Sequence, residues 1–397
     1  MTVCNFDTII ERKNTDCLKY DFAEKRGRPK DVLPFWVADM DFPVADEITA
    51  ALKARLEHPV FGYSEAGDSY YEAVVSWYER YFGYSIKPEW ITKTPGVVFA
   101  LAMAVRAYSR PGDAVLIEQP VYYPFTEVIE DNARKLINVP LVRESGCYRM
   151  DYAGIECAIA KENVKLLLLC SPHNPVGRVW ERSELEQLGD ICLKHGVIIV
   201  SDEIHSDFVW GANKHTIFAS LGEKYAAKSV ICTAPSKTFN LAGLQISNIV
   251  IPDKDLRRAF RRAVNAAGYS QCNTLGLVAC EAALRHGGEW LKAAKAYIYS
   301  NILFTRDYLE KYLPAIKMQV PQGTYLVWLD FSALGLDART RELWLWHKAK
   351  LWLDSGAIFG PSGEDFERIN VACPRALLLQ GLEQLRQAVD SLKASGI

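Results

Sequence analysis

Lysine, aspartate, asparagine, histidine and tyrosine recur at one kind of place in this sequence: just past a continuous apolar run. Lys237 is central among them. It lies in Thr233-Ala234-Pro235-Ser236-Lys237-Thr238-Phe239-Asn240-Leu241-Ala242-Gly243-Leu244, directly after the strand-like Ser229 to Cys232. A lysine between a Pro-Ser turn and a small, apolar, Gly-containing segment is incompletely hydrated, and desolvation favours its neutral amine. The neutral amine is the form that attacks an aldehyde. Taken by itself, Lys237 reads as an ordinary surface lysine, by far the commoner case. The other residues give it meaning.

Tyr122 follows the run Ala114 to Glu118, Asn174 follows Lys165 to Cys170, and Asp202 and His205 follow Val197 to Val200. Continuous apolar strands separated by helical stretches mark a parallel sheet covered on both faces, and ligands bind such sheets at the carboxyl ends of the strands. The fold therefore draws Tyr122, Asn174, Asp202, His205 and Lys237 together. That set suits pyridoxal phosphate (PLP). A carboxylate such as Asp202 beside a pyridine nitrogen keeps it protonated, and an amide such as Asn174 donates to the phenolate oxygen. Gly96, Val97 and Val98 open an Ala-rich helix whose first amides, with the Ser236 hydroxyl, can receive a phosphate. Singly, Asp202 and His205 also read as a capped turn, and an Asp-x-x-His metal pair lacks a third ligand.

The remaining elements are framed by composition. The 397 residues, 49% of them hydrophobic, are enough for a large core and for two domains or more. Lys plus Arg number 46 against 48 Asp plus Glu. This balance lacks the basic field that nucleic acid or an anionic membrane requires. No stretch stays apolar and uncharged for about 18 residues, and the N-terminus has no signal-peptide pattern. Ten scattered cysteines without a C-x-x-C pair indicate reduced thiols and a cytoplasmic protein. The proline-bracketed decapeptide Pro34 to Pro43 reads either as a buried connector or as a ligand wall. Helices are expected over 45–56, 68–82, 184–195, 253–285 and 289–313, and strands over 325–330 and 368–372. Trp344, Trp346 and Trp352 are read as packing residues.

The order of these motifs resembles the fold-type I PLP enzymes of aminotransferase class I and II. They are Gly96-Val97-Val98, Tyr122, Ser171-Pro172-His173-Asn174-Pro175-x-Gly177, Ser201-Asp202-Glu203-Ile204-His205, Ser236-Lys237-Thr238-Phe239-Asn240 and Asn370-Val371-Ala372-Cys373-Pro374-Arg375. Trp36-Val37-Ala38-Asp39-Met40-Asp41-Phe42 and Ala234 to Asn240 are similar to the cystathionine β-lyase, or C-S lyase, branch. The resemblance implies an α/β fold with a mostly parallel sheet and a smaller α/β domain. It divides the chain into an N-terminal segment (1–47), a large PLP-binding domain (48–288) and a small domain (289–397). It implies that Lys237 bonds the cofactor aldehyde, Asp202 pairs with the pyridinium nitrogen, Asn174 contacts the ring oxygen, Tyr122 stacks on the ring, and His205 lies beside the cofactor. Ala38 and Arg375 would hold substrate, Arg375 by its carboxylate. Tyr63 would reach a partner's phosphate in a homodimer.

Two departures from the transaminase pattern matter. His205 stands where many aminotransferases have tyrosine, and Gln245 where many have a phosphate-binding arginine. The resulting expectation is α,β-elimination from L-cystathionine, cystine or a related S-substituted cysteine. An aminotransferase, or a PLP-fold protein with a regulatory binding role, is the alternative.

Overall fold

The sheet interior is dictated by runs such as Leu166–Cys170 and Ile198–Asp202, whose residues are buried almost throughout and so cannot alternate between core and solvent. In the computed structural model, which describes residues 5–394, these runs join a seven-stranded sheet. Across the sheet the strands are Ile91–Thr94, Ser247–Val250, Ser229–Thr233, Ile198–Asp202, Leu166–Cys170, Ala114–Ile117 and Lys135–Asn138. Ser247–Val250 runs antiparallel to both neighbours, and the other adjacent pairs are parallel. Helices cover both faces, as parallel crossovers demand.

A second sheet of four antiparallel strands contains Lys317–Met318, Leu326–Asp330, Phe366–Asn370 and Asp354–Ser355. The two ends of the chain meet where Leu33–Pro34 pairs in parallel with Leu351–Trp352. The long helix Gly288–Tyr312 and the last helix, Arg375–Ala394, flank this part. The helix read over 253–285 is two, Lys254–Ala266 and Thr274–His286. Gly268, at φ 78°, takes a left-handed conformation that interrupts the helical path. Trp344, Trp346 and Trp352 are buried, with Arg28 lying 4.1 Å from the Trp346 ring centroid. Among the described residues, no helix is long and apolar enough to cross a membrane.

Candidate active site

Four adjacent parallel strands end at one cavity. In spatial order Ala114–Ile117 leads to Tyr122, Leu166–Cys170 to Asn174, Ile198–Asp202 ends in Asp202 with His205 beyond it, and Ser229–Thr233 leads to Lys237. All five side chains line a cavity of about 160 Å³, with Ala38, Gly96, Val97, Val98, Ser236 and Gln245. Every residue proposed from sequence for cofactor contact within one chain is thus on one wall or another of the same space.

Lys237 sits in the short helix Pro235–Thr238, which has little stability of its own and is pinned from outside. Thr238 Oγ1 donates to Asp207 Oδ2 at 2.7 Å, and Trp77 Nε1 donates to the other oxygen at 3.2 Å. Asn240 then ties the helix to the Pro34–Pro43 segment. Its Nδ2 donates to the carbonyls of Met40 and Phe42, and its Oδ1 accepts from Met40 N–H. Asn370, from the second sheet, donates to the carbonyls of Val37 and Asp39. Stapled from both sides, this segment offers the Ala38 carbonyl to two donors, Lys237 Nζ at 2.8 Å and the buried Tyr325 hydroxyl at 2.9 Å. The decapeptide is therefore both buried connector and cavity wall.

Burial brings the Lys237 amine down to about 8, with Arg368 pushing the same way and Asp39 and Asp202 opposing. Burial raises the Asp202 carboxyl to about 7, against the Ile204 N–H that donates to it at 3.1 Å and the charge of Lys237. A cationic ring nitrogen beside Asp202 would return it to the carboxylate. His205, buried and edge-on to Tyr325 at 5.7 Å, is held well below the usual imidazole range by desolvation and by the charges of Lys237 and Arg368. A neutral imidazole results.

The structure overturns the placement of one residue. Arg375 opens the last helix, where its Nε donates to Asn301 Oδ1 at 2.6 Å and its Nη2 to Ser300 Oγ at 2.7 Å, over the Phe304 ring. These bonds hold it against the long helix, and it borders no cavity at Lys237. The cation near Lys237 is Arg368, in the buried strand Phe366–Asn370. Its Nη1 donates to Asn174 Oδ1 at 3.0 Å, its Nη2 to the Trp36 carbonyl at 2.8 Å and to Asp354. Its Nε has no partner among the described residues although it is buried. A signal existed in the sequence: Glu367 and Arg368 put two charges side by side between the apolar Phe366 and Ile369, and a buried charge requires a partner or a ligand. Tyr325 and Asp354 left no such trace. Tyr63 lies elsewhere, 94% exposed on a loop with the exposed Val60 and Phe61.

The residues present fit PLP: an amine for the aldehyde, a buried acid for the ring nitrogen, an aromatic wall, and at the phosphate end the start of helix Val97–Tyr108 with Ser236. The chain is 44% identical to cystathionine beta-lyase PatB of Bacillus subtilis, over 97% of this chain and 100% of that one. It is 34% identical to protein MalY of Escherichia coli, over 98% and 100%. The structure superposes on cystalysin from Treponema denticola, which contains a pyridoxal 5'-phosphate cofactor, with a TM-score of 0.95 at 40% identity, covering 98% of this chain and 100% of that one. Residues 30–385 match the aminotransferase class I and II family, and the chain belongs to that family.

Proposed function

We propose that this protein is a PLP-dependent carbon–sulfur β-lyase that splits L-cystathionine, L-cystine or related S-substituted cysteines into a thiol, pyruvate and ammonia. The observation that carries this reading is the juxtaposition of Lys237 and the buried Asp202 on one cavity, with the buried Arg368 bonded directly behind it to the cavity residue Asn174. The lyase names of relatives that align over their whole length support it over transamination.

PLP, when bound, supplies the electron sink that makes the substrate's α-proton acidic. Asp202 would keep a proton on the ring nitrogen, Asn174 would donate to the ring oxygen, Tyr122 would supply an aromatic wall for the ring, and His205 would stand beside it as a neutral group. The amides of Gly96, Val97 and Val98 and the Ser236 hydroxyl would hold the phosphate. Arg368, in place of Arg375, receives the substrate α-carboxylate, because its Nε–H and its second Nη1–H are not committed among the described residues. Lys237, kept at hand by the Ala38 carbonyl, removes the α-proton as general base. The electron pair left at Cα forms the Cα–Cβ double bond as the Cβ–S bond breaks. The sulfur leaves with the electrons of that bond and takes a proton from Lys237, and water converts the remaining fragment to pyruvate and ammonia.

A second copy of the chain would cover the Val60–Tyr63 loop and bring Tyr63 to the neighbouring phosphate. Residues 1–47, 48–288 and 289–397 are read as a joining segment, a large unit and a small unit, and the scattered, unpaired cysteines among the described residues support a cytoplasmic location. The decisive experiment supplies L-cystathionine to the PLP-loaded protein without any keto acid. Equal amounts of pyruvate and free thiol are expected. Strict keto-acid dependence with no thiol would defeat the proposal.

A further inference from the structure

The Ala38 carbonyl is where the free Lys237 amine rests, and it has a second donor. Lys237 Nζ lies 2.8 Å from it and the Tyr325 hydroxyl 2.9 Å, so both lone pairs of the oxygen are occupied. Tyr325 is fully buried, and its hydroxyl makes no other hydrogen bond among the described residues.

The residue before it shows how firmly that hydroxyl is aimed. Thr324 is β-branched yet sits at φ 67°, in the left-handed region that such residues avoid. It is kept there from outside: its N–H donates to the Phe208 carbonyl at 2.8 Å, and Trp210 Nε1 donates to its own carbonyl at 2.7 Å. Phe208 also meets the Tyr325 ring edge-on at 5.0 Å. Phe208 and Trp210 follow Asp202 and His205 in the chain, so the segment that carries the buried acid also fixes Tyr325.

A strained residue that brings a phenol to a carbonyl already bonded by Lys237 has no use while the lysine rests there. It has one when the lysine is elsewhere. With Lys237 joined to the cofactor, Tyr325 keeps the carbonyl paired and in place, between the Val37 and Asp39 carbonyls that Asn370 holds at 2.7 and 2.6 Å. The released amine then returns to one position. Once it has taken the α-proton, Lys237 is an ammonium, and its bond to a carbonyl is charge-assisted and stronger. The tether therefore tightens at the step where the outcome is decided.

Two outcomes are open to the electron pair left at Cα, and they ask different things of Lys237. Departing sulfur takes the Cβ–S electrons and can collect its proton afterwards, since thiols ionise at about pH 8.5. Transamination instead has Lys237 carry the proton from Cα to the aldehyde carbon of the cofactor, after which water releases a keto acid and leaves pyridoxamine phosphate. On the lyase reading, on which this inference rests, we infer that Tyr325 is a positioning residue: by fixing the Ala38 carbonyl it holds the freed Lys237 at one station and so favours elimination over delivery of the proton to the cofactor.

The test compares the PLP-loaded wild-type protein with Tyr325→Phe, which keeps the ring, in D2O with L-alanine, an amino acid that has no leaving group. Exchange of its α-hydrogen is followed by NMR, and pyridoxamine phosphate is measured by chromatography after the protein is denatured. Pyridoxamine phosphate formed per α-hydrogen exchanged is a ratio within one sample, so a loss of folded protein does not move it. The ratio should rise about fivefold in Tyr325→Phe, the effect of one hydrogen bond, and should move the same way in Asn370→Ser, which frees the carbonyls on either side of Ala38. An unchanged or lower ratio in Tyr325→Phe would overturn the inference. Were that variant unable to hold PLP, the same result in Asn370→Ser would do so. The lyase reading fails separately, if the wild-type protein releases no thiol from L-cystathionine.

Discussion

The two sides of the cavity are built by different means. The cofactor side comes from the ends of four neighbouring parallel strands, so Tyr122, Asn174, Asp202 and Lys237 are spaced by the sheet itself. The side proposed for the substrate comes from a mid-strand arginine of the second sheet, Arg368, and from segment 36–42, held mainly by side-chain bonds to its backbone, from Arg368, Asn370, Asn240, Tyr325 and Lys237, with one backbone bond from Asp41 N–H to the Ala372 carbonyl. Placement by a sheet depends on the fold as a whole, whereas placement by a few asparagines and an arginine depends on each of them. Changes on the first side should therefore act through chemistry, and changes on the second through binding and position.

The largest effect expected is at Lys237. Lys237→Ala should lower the elimination rate by roughly ten-thousandfold, since it removes both the cofactor bond and the base. Stopped-flow or steady-state thiol release measures this. Next, Arg368→Lys should raise KM for an amino-acid substrate by about a hundredfold with a smaller change in kcat, because a lysine cannot reproduce the planar donor set. Arg375→Lys should change KM by less than about threefold and lower Tm by a few degrees through the lost bonds to the long helix. The reverse outcome would restore Arg375 to the site and dissolve the contrast between the two sides.

A fourth prediction concerns pH. With the amine at about 8, roughly a tenth of Lys237 is neutral at pH 7 and roughly nine tenths at pH 9. The rate at which cofactor-free protein takes up PLP should rise about tenfold between those values and then level off. A lysine with its ordinary value would still be climbing at pH 10.

The smallest effect isolates burial in the sheet from any role in the site. Glu118, 2% exposed and with Oε1 unpartnered among the described residues, is raised by burial to about 8. Its folded value lies above its unfolded one, so its contribution to stability is intact below about pH 4.5 and is lost as pH rises through 8. Glu118→Gln should therefore gain roughly 1–3 kcal/mol on the wild-type protein between pH 5 and pH 9, seen in denaturant unfolding at the two values.

The same contrast explains what could be read from the sequence. Residues that follow continuous apolar strands are legible, because topology sends every such position to one edge, and Asp202 and Lys237 needed no further information. Arg368 was less so. It lies within a strand, and its role rests on Asn174, Trp36 and Asp354, which are 194, 332 and 14 residues away. Arg375 carried a recognisable motif position, but the turn at Pro374 directs it to Asn301 and Ser300 instead. The double role of Pro34–Pro43 was likewise undecidable locally, because what makes it a wall is Asn240 and Asn370, both about 200 residues or more distant.

The most direct measurement is to reduce the PLP-loaded protein with borohydride, digest it and locate the cofactor by peptide mass. Three lysines compete on burial grounds: Lys237, Lys19, which is paired with Asp41, and Lys295, lowered by desolvation near Asp207. The label should sit on the peptide containing Lys237 at one per chain. Label on Lys19 or Lys295, or spread over many lysines, would contradict the assignment of Lys237 as the reacting amine.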